Sequence, residues 1–122
     1  MSPKRILIVD DEEFFIEPIK VLLERSGYEV IKANDGMSGL KAARVQNPDL
    51  ILLDLMLPGI NGYQVCRLLK YDEKYKHIPT MIVSAKDTEK DKRLAKECGA
   101  DLYLTKPLNY MDLLKQIGEI LE

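Results

Sequence analysis

The fold is decided by one short stretch, residues 49–62, which has the sequence DLILLDLMLPGING. Its four consecutive apolar residues, Leu50–Leu53, show no alternation and predict a strand buried on both faces, as in a parallel sheet. Asp54 ends this run, and the proline and glycines that follow indicate a loop. Ligands of open α/β sheets bind at the carboxyl ends of strands, so Asp54 is a candidate site residue. A capping or turn aspartate is the alternative at this stage.

The composition is that of one ordinary globular domain spanning residues 1–122. Lys and Arg total 18 against 20 Asp and Glu, for a net charge of -2, which argues against direct nucleic-acid binding. No apolar run approaches the roughly 20 residues of a membrane span, and no signal-peptide pattern opens the sequence. We therefore expect a cytoplasmic protein without membrane contact. Cys66 and Cys98 lack metal-ligand spacing and are expected to be reduced thiols.

Strand-like apolar runs alternate with helical segments along the whole chain, about five times. This pattern predicts an α/β fold with a parallel sheet and helices on both faces. The doubly wound, flavodoxin-like order 2-1-3-4-5 is favoured because it leaves the polar second strand, Tyr28–Ala33, at an edge. Pro18 predicts either a late start or a local kink in the first helix. Val65, Leu68 and Leu69 are expected to face inward from the third helix.

Polar residues stand at the predicted carboxyl ends of four strands: Asp10 and Asp11, Asp54, Ser84, and Lys106. A parallel sheet brings these strand ends to one edge. Three carboxylates (-3) and one lysine (+1) sum to -2, which a divalent cation such as Mg²⁺ would neutralise. Such a pocket is suited to receive a phosphoryl group, with Asp54 as the nucleophile and Ser84 and Lys106 holding its oxygens.

Other chemistries typical of α/β proteins lack their motifs here. No Gly-rich turn follows the first strand, and neither a Walker A motif nor a nucleophile elbow is present. Aspartate-nucleophile phosphatases of the haloacid dehalogenase type are similar in outline. They carry a second acid two residues after the first, where this chain has Met56.

Six short motifs, in order and at matching spacing, resemble those of the receiver domain of bacterial two-component response regulators, including the chemotaxis receivers. The resemblance covers nearly the whole chain and is carried by Ile8–Glu12, Leu52–Gly59, Asn61-Gly62, Val83–Ala85, Gly99–Asp101 and Thr105–Pro107. It implies a phosphorylation-activated signalling switch in which Asp54 accepts phosphate from a sensor histidine kinase or phosphotransfer protein. It also implies that Asp11, Asp54 and the backbone carbonyl of Met56 bind Mg²⁺, with Asp10 acting mostly through bridging water.

The resemblance further implies a conformational switch. Ser84 would move toward the phosphate, and Tyr103 on the fifth strand would swing inward; the alternative for Tyr103 is an ordinary edge-strand aromatic with its hydroxyl in water. The output face would comprise the fourth helix, fifth strand and fifth helix. Its partner would be a downstream protein or an output domain outside this sequence, and a phosphorylation-dependent homodimer is a further possibility. The Lys106-Pro107 peptide bond would be cis.

Two rivals to this switch stay open. One is a pseudo-receiver, an interaction module that never takes phosphate, and the other is an enzyme that hydrolyses external phosphate esters. We expect a domain that is phosphorylated and dephosphorylated on itself rather than such an enzyme. By resemblance, Met56 and Lys86 flank the path of the hydrolytic water. Because an apolar Met56 cannot orient that water, we expect a long-lived acyl phosphate.

Overall fold

The computed structural model describes residues 2–122, and in that range five strands alternate with five helices. The elements are β1 (Arg5–Val9), α1 (Glu13–Arg25), β2 (Glu29–Ala33), α2 (Gly36–Gln46), β3 (Leu50–Leu53), α3 (Gly62–Lys70), β4 (Thr80–Ser84), α4 (Glu89–Glu97), β5 (Leu102–Thr105) and α5 (Tyr110–Leu121). None of these helices combines the length and apolarity needed to cross a membrane.

The five strands form one parallel sheet in the order β2-β1-β3-β4-β5, which confirms the predicted doubly wound topology. In the register between β1 and β3, Val9 lies opposite Leu53. The residues that follow, Asp10 and Asp54, therefore leave the sheet side by side. The Asp54 N–H donates to the Val9 carbonyl at 3.0 Å, which fixes this juxtaposition through the backbone.

Helices cover both faces of the sheet because the strand side chains alternate between two cores. Leu7, Ile51 and Ile82 point to the face covered by α2, α3 and α4. Ile6 and Leu52 point to the opposite face, which α1 and α5 cover. The central strands β1, β3 and β4 are almost fully buried, whereas the edge strand β2 is only partly buried.

Two helix predictions need correction. Helix α1 begins at Glu13 and runs through Pro18, so a late start is wrong. Pro18 cannot donate to the Phe14 carbonyl, but both residues lie on the exposed face of α1, where water can satisfy that carbonyl. On α3, Leu68 is 45% exposed and Cys66 takes the inward place beside Val65 and Leu69, because the buried arc of the helix is rotated toward Cys66.

Candidate functional site

The carboxyl edge of the sheet brings the predicted site residues together. Asp10, Asp54 and Ser84 are buried, with exposures of 1%, 4% and 0%. Lys106 follows β5, and its backbone N–H donates to the Ser84 carbonyl at 2.8 Å. The peptide bond from Lys106 to Pro107 is cis, as expected.

Gly62 closes the loop that leaves this edge after β3. Its backbone N–H donates to the Leu55 carbonyl at 3.0 Å, so the start of α3 folds back against the strand end. A Cβ at position 62 would collide with the Asp54 carbonyl and with the backbone of Leu55. A glycine is therefore required for this close approach.

The ammonium of Lys106 is the positive centre of the site. Its Nζ donates to Asp10 Oδ2 at 2.7 Å and to Glu12 Oε1 at 3.2 Å, and it lies 3.7 Å from Asp54 Oδ2. It also lies over the ring of Phe15, 4.0 Å from the ring centroid. The Lys106 side chain is only 12% exposed, so these contacts are made with little help from water.

Four carboxylates cluster at this edge of the sheet, and they belong to Asp10, Asp11, Glu12 and Asp54. One oxygen from each lies within 4.8 Å of the others. Clustered carboxylate oxygens are the donors that a hard divalent cation such as Mg²⁺ prefers, so the residues present fit the expected metal.

Burial raises the pKa of both Asp10 and Asp54, because a buried carboxylate loses hydration. For Asp10, hydrogen bonds from Lys106 and from the Glu12 N–H act against this rise. For Asp54, the charge of Lys106 opposes the rise and the charge of Asp10 adds to it. Burial acts to lower the pKa of Lys106, but its hydrogen bond to Asp10 and the charge of Asp54 raise it overall. The lysine therefore stays charged, and the two buried carboxylates remain under mutual repulsion.

Ser84 and Tyr103 are both connected to Lys86, in the loop between β4 and α4. The Ser84 Oγ accepts a hydrogen bond from the Lys86 N–H at 3.3 Å, and the Tyr103 hydroxyl donates to the Lys86 carbonyl at 2.6 Å. The Tyr103 side chain is half-buried, and its hydroxyl is fixed on the Lys86 carbonyl at the surface.

Met56 lines the mouth of the site. A pocket of about 420 Å³ is formed by Asp11, Glu12, Asp54, Met56, Ala85 and Lys106. The Met56 N–H donates to Asp54 Oδ1 at 3.3 Å, while its side chain is 57% exposed. The apolar side chain of Met56 thus stands beside the carboxylate with no polar group to offer.

Sequence reasoning missed two neighbours of Lys106. Glu12 was visible as part of an acidic run that continues past the end of β1, and this was a usable signal. Phe15 gave no such signal, because an aromatic residue in the first turns of an amphipathic helix is equally typical of ordinary core packing.

Known proteins with similar sequences belong to one family. The sequence model of the family described as "Response regulator receiver domain" matches residues 6–118. Over 118 residues the chain is 45% identical to the alkaline phosphatase synthesis transcriptional regulatory protein PhoP of Bacillus subtilis, covering 97% of this chain and 48% of PhoP. It is 44% identical over 117 residues to protein PilH of Pseudomonas aeruginosa, covering 96% of this chain and 97% of PilH.

Solved structures share the architecture. A CheY-like response regulator receiver domain protein from Methanospirillum hungatei JF-1 superposes with a TM-score of 0.92 at 32% identity. The match covers 98% of this chain and 94% of that one. The chain thus spans about half of PhoP and nearly all of PilH and of this structure.

Proposed function

The chain belongs to the response regulator receiver domain family, and we propose that it is a phosphorylation-activated signalling switch with Asp54 as the phosphoacceptor. The observation that carries this proposal is the buried Asp54 carboxylate beside the Lys106 ammonium, 3.7 Å away, at the open edge of the sheet. Its phosphodonor would be a phosphohistidine on a sensor histidine kinase or phosphotransfer protein. The phosphotransfer would take place in the cytoplasm.

The chemical step uses Asp54 as a nucleophile. A carboxylate oxygen of Asp54 attacks the phosphorus, and a new P–O bond forms as the P–N bond to the donor histidine breaks. The electron pair of the broken bond stays on the imidazole nitrogen. Lys106 favours this step because its fixed positive charge stabilises the phosphoryl oxygens as charge develops on them. The domain would act only on itself and not on external phosphate esters.

A divalent cation would offset most of the excess negative charge of the site. Asp10, Asp11, Glu12 and Asp54 contribute -4 and Lys106 contributes +1, which leaves -3. We propose that Asp11, Asp54 and the Met56 carbonyl would hold Mg²⁺, with Asp10 acting through water. When bound, Mg²⁺ would supply positive charge to offset the phosphoryl oxygens. Glu12 is 64% exposed, so water screens much of its charge. It therefore repels the other carboxylates less than the buried Asp10 and Asp54 repel each other.

Ser84 and Tyr103 would transmit the phosphorylated state. Both are hydrogen-bonded to Lys86, so a shift of the Ser84 hydroxyl toward the phosphoryl group would disturb the contact that holds Tyr103. The result would be a two-state change in the face formed by α4, β5 and α5. That face would then bind a downstream protein or an output domain, or a second copy of the chain.

One experiment separates this function from its rivals. The protein is incubated with Mg²⁺ and acetyl phosphate, and intact mass is expected to rise by about 80 Da, the mass of one phosphoryl group. Asp54→Asn should abolish the adduct, whereas Asp101→Asn, at the opposite edge of the sheet, should retain it. Absence of any adduct on the wild-type protein would favour the pseudo-receiver, and multiple turnover of phosphate esters would favour a hydrolase.

A further inference from the structure

The aromatic ring of Phe15 contacts the ammonium of Lys106, and the proposed chemistry gives this ring no role. Its ring, on α1, lies under the Lys106 ammonium with Nζ 4.0 Å from the ring centroid. The face of an aromatic ring carries partial negative charge and attracts a cation at this distance, most strongly where water is scarce. The 12% exposure of the Lys106 side chain places the contact in such surroundings.

The ring differs in kind from the other neighbours of the ammonium. Asp10 and Glu12 accept hydrogen bonds from Nζ, and Asp54 attracts it without a hydrogen bond. Phe15 accepts no strong hydrogen bond, yet it occupies space that water would otherwise fill. A charged lysine covered in this way keeps its strong hydrogen bonds for the carboxylates at the sheet edge.

We propose that Phe15 is a positioning residue for Lys106. By attraction to the ring face, the ammonium is held beside Asp54, where the phosphoryl oxygens would arrive, instead of turning toward solvent. This inference rests on the proposed phosphoacceptor function of Asp54. It concerns how the lysine is placed and assigns Phe15 no contact with the phosphoryl group.

Packing is the competing explanation for Phe15. The residue is half-buried and packs against the core between the sheet and helices α1 and α5. Packing depends on the shape of the ring, whereas positioning depends on its electron density. The two explanations are therefore separated by changing the electron density while the shape is kept.

The test replaces Phe15 with its 4-fluoro, 3,4-difluoro and 3,4,5-trifluoro analogues through an expanded genetic code. Each fluorine withdraws electron density from the ring face with little change in shape. The rate of adduct formation with acetyl phosphate and Mg²⁺ is expected to fall stepwise, by roughly three- to tenfold across the series. Phe15→Leu should show a similar loss, and Phe15→Tyr, which keeps an aromatic face, should restore most of the rate.

Phe14 is the matched control, because it is the only other phenylalanine and is 98% exposed. The same fluorinated series at Phe14 should leave the rate unchanged. A flat series at Phe15, with the wild type phosphorylated normally, would overturn the proposal and leave Phe15 as a packing residue.

A second measurement is independent of phosphorylation. The protons of Lys106 next to its ammonium should show an upfield ring-current shift in NMR spectra, lost in Phe15→Leu and kept in Phe14→Leu. Absence of that shift in the wild type would overturn the contact itself. Failure of the wild type to take phosphate would instead overturn the function of Asp54 and, with it, this role for Phe15, even where the shift is present.

Discussion

Two lysines form ion pairs of equal length at opposite edges of the same sheet. Lys106 Nζ lies 2.7 Å from Asp10 Oδ2 at the carboxyl edge, and Lys70 Nζ lies 2.7 Å from Asp101 Oδ2 at the amino edge. The two lysine side chains are 12% and 11% exposed. The two distances and the burial of the two lysines are therefore nearly the same, and the pairs differ in the burial of the acid and in the charges around it.

At the amino edge the charges are balanced and the contacts are structural. Lys70 also donates to the carbonyls of Ile78 and Lys76, at 2.8 and 3.2 Å. Asp101 accepts a hydrogen bond from the Thr80 N–H at 2.8 Å, and its side chain is 47% exposed. The pair joins α3 to the starts of β4 and β5 without leaving a surplus charge.

At the carboxyl edge the ion pair of Lys106 and Asp10 is surrounded by more carboxylates than cations. Lys106 faces Asp10, Glu12 and Asp54, and two of these carboxylates are buried. Under the proposed function, this excess negative charge would attract a divalent cation, and the cation together with Lys106 would then offset the charge of a phosphoryl group. The surrounding charge and the burial of the acid partner, rather than the length of the ion pair, distinguish the pair proposed to be functional from the structural one.

The largest effect is expected from exchanging each lysine for methionine. Lys106→Met should slow adduct formation from acetyl phosphate by roughly 10²- to 10³-fold, since it removes a fixed charge aimed at the phosphoryl oxygens. Lys70→Met should leave that rate within about twofold but lower the free energy of unfolding by about 1 kcal/mol, because the part-buried Ile78 carbonyl and the half-exposed Asp101 carboxylate lose their donor. Mass spectrometry measures the rate of adduct formation, and urea unfolding measures the free energy of unfolding. Equal slowing by both variants would mean that the two edges do not differ in function.

A smaller effect is expected on the lifetime of the phosphorylated state. Met56→Asn places a hydrogen-bonding amide beside Asp54, where it can orient the hydrolytic water. The acyl phosphate should then decay roughly three- to tenfold faster, as expected for one hydrogen bond. Met111→Asn, at a 75% exposed position on α5, is the control and should decay like the wild type. Decay of Met56→Asn at the wild-type rate would show that Met56 does not set the lifetime.

The smallest effect is a pH-dependent difference in stability. Burial raises the pKa of Asp54 and Asp10, so in the folded state they bind protons at a pH where the unfolded chain does not. Their contribution to the free energy of unfolding therefore rises as pH falls from 7 through the folded pKa, and the gain is complete only below the unfolded pKa.

Asp54→Asn removes one of these groups, so it tests the direction in which the free energy of unfolding changes with pH. At pH 7, with EDTA and no divalent cation, the variant should be more stable than the wild type, on the order of 1 kcal/mol by urea unfolding. This advantage should shrink as the pH falls from 7 toward about 4, the ordinary range of an aspartate pKa. Groups whose pKa is lowered, such as Glu17 and Asp91, act in the opposite direction but equally in both proteins, so the difference cancels them. A constant advantage across this range would contradict the assignment.

Much of the fold was predictable because it depends on local patterns. The uninterrupted run Leu50–Leu53 predicted a central strand, and the polar strand β2 predicted an edge; both are confirmed. The rotation of α3 was not predictable, since Leu68 and Cys66 are both apolar and only the packed helix decides which one is buried. Of the two alternatives predicted for Pro18, a late start of α1 is wrong, because the cost of Pro18 depends on whether water reaches the Phe14 carbonyl.

The apolar and polar patterns of the chain are enough to predict which residues meet at the carboxyl edge. Strand order and parallel register follow from patterns that repeat along the chain, and they bring Asp10, Asp54, Ser84 and Lys106 to one place. The contacts that Lys106 makes at this edge depend on how the helices pack against the sheet. Lys106 and Asp10 are 96 positions apart, and the meeting of Lys106 with Phe15 and Glu12 depends on how α1 is rotated against the sheet. That rotation is set by packing in the core, which no local pattern encodes.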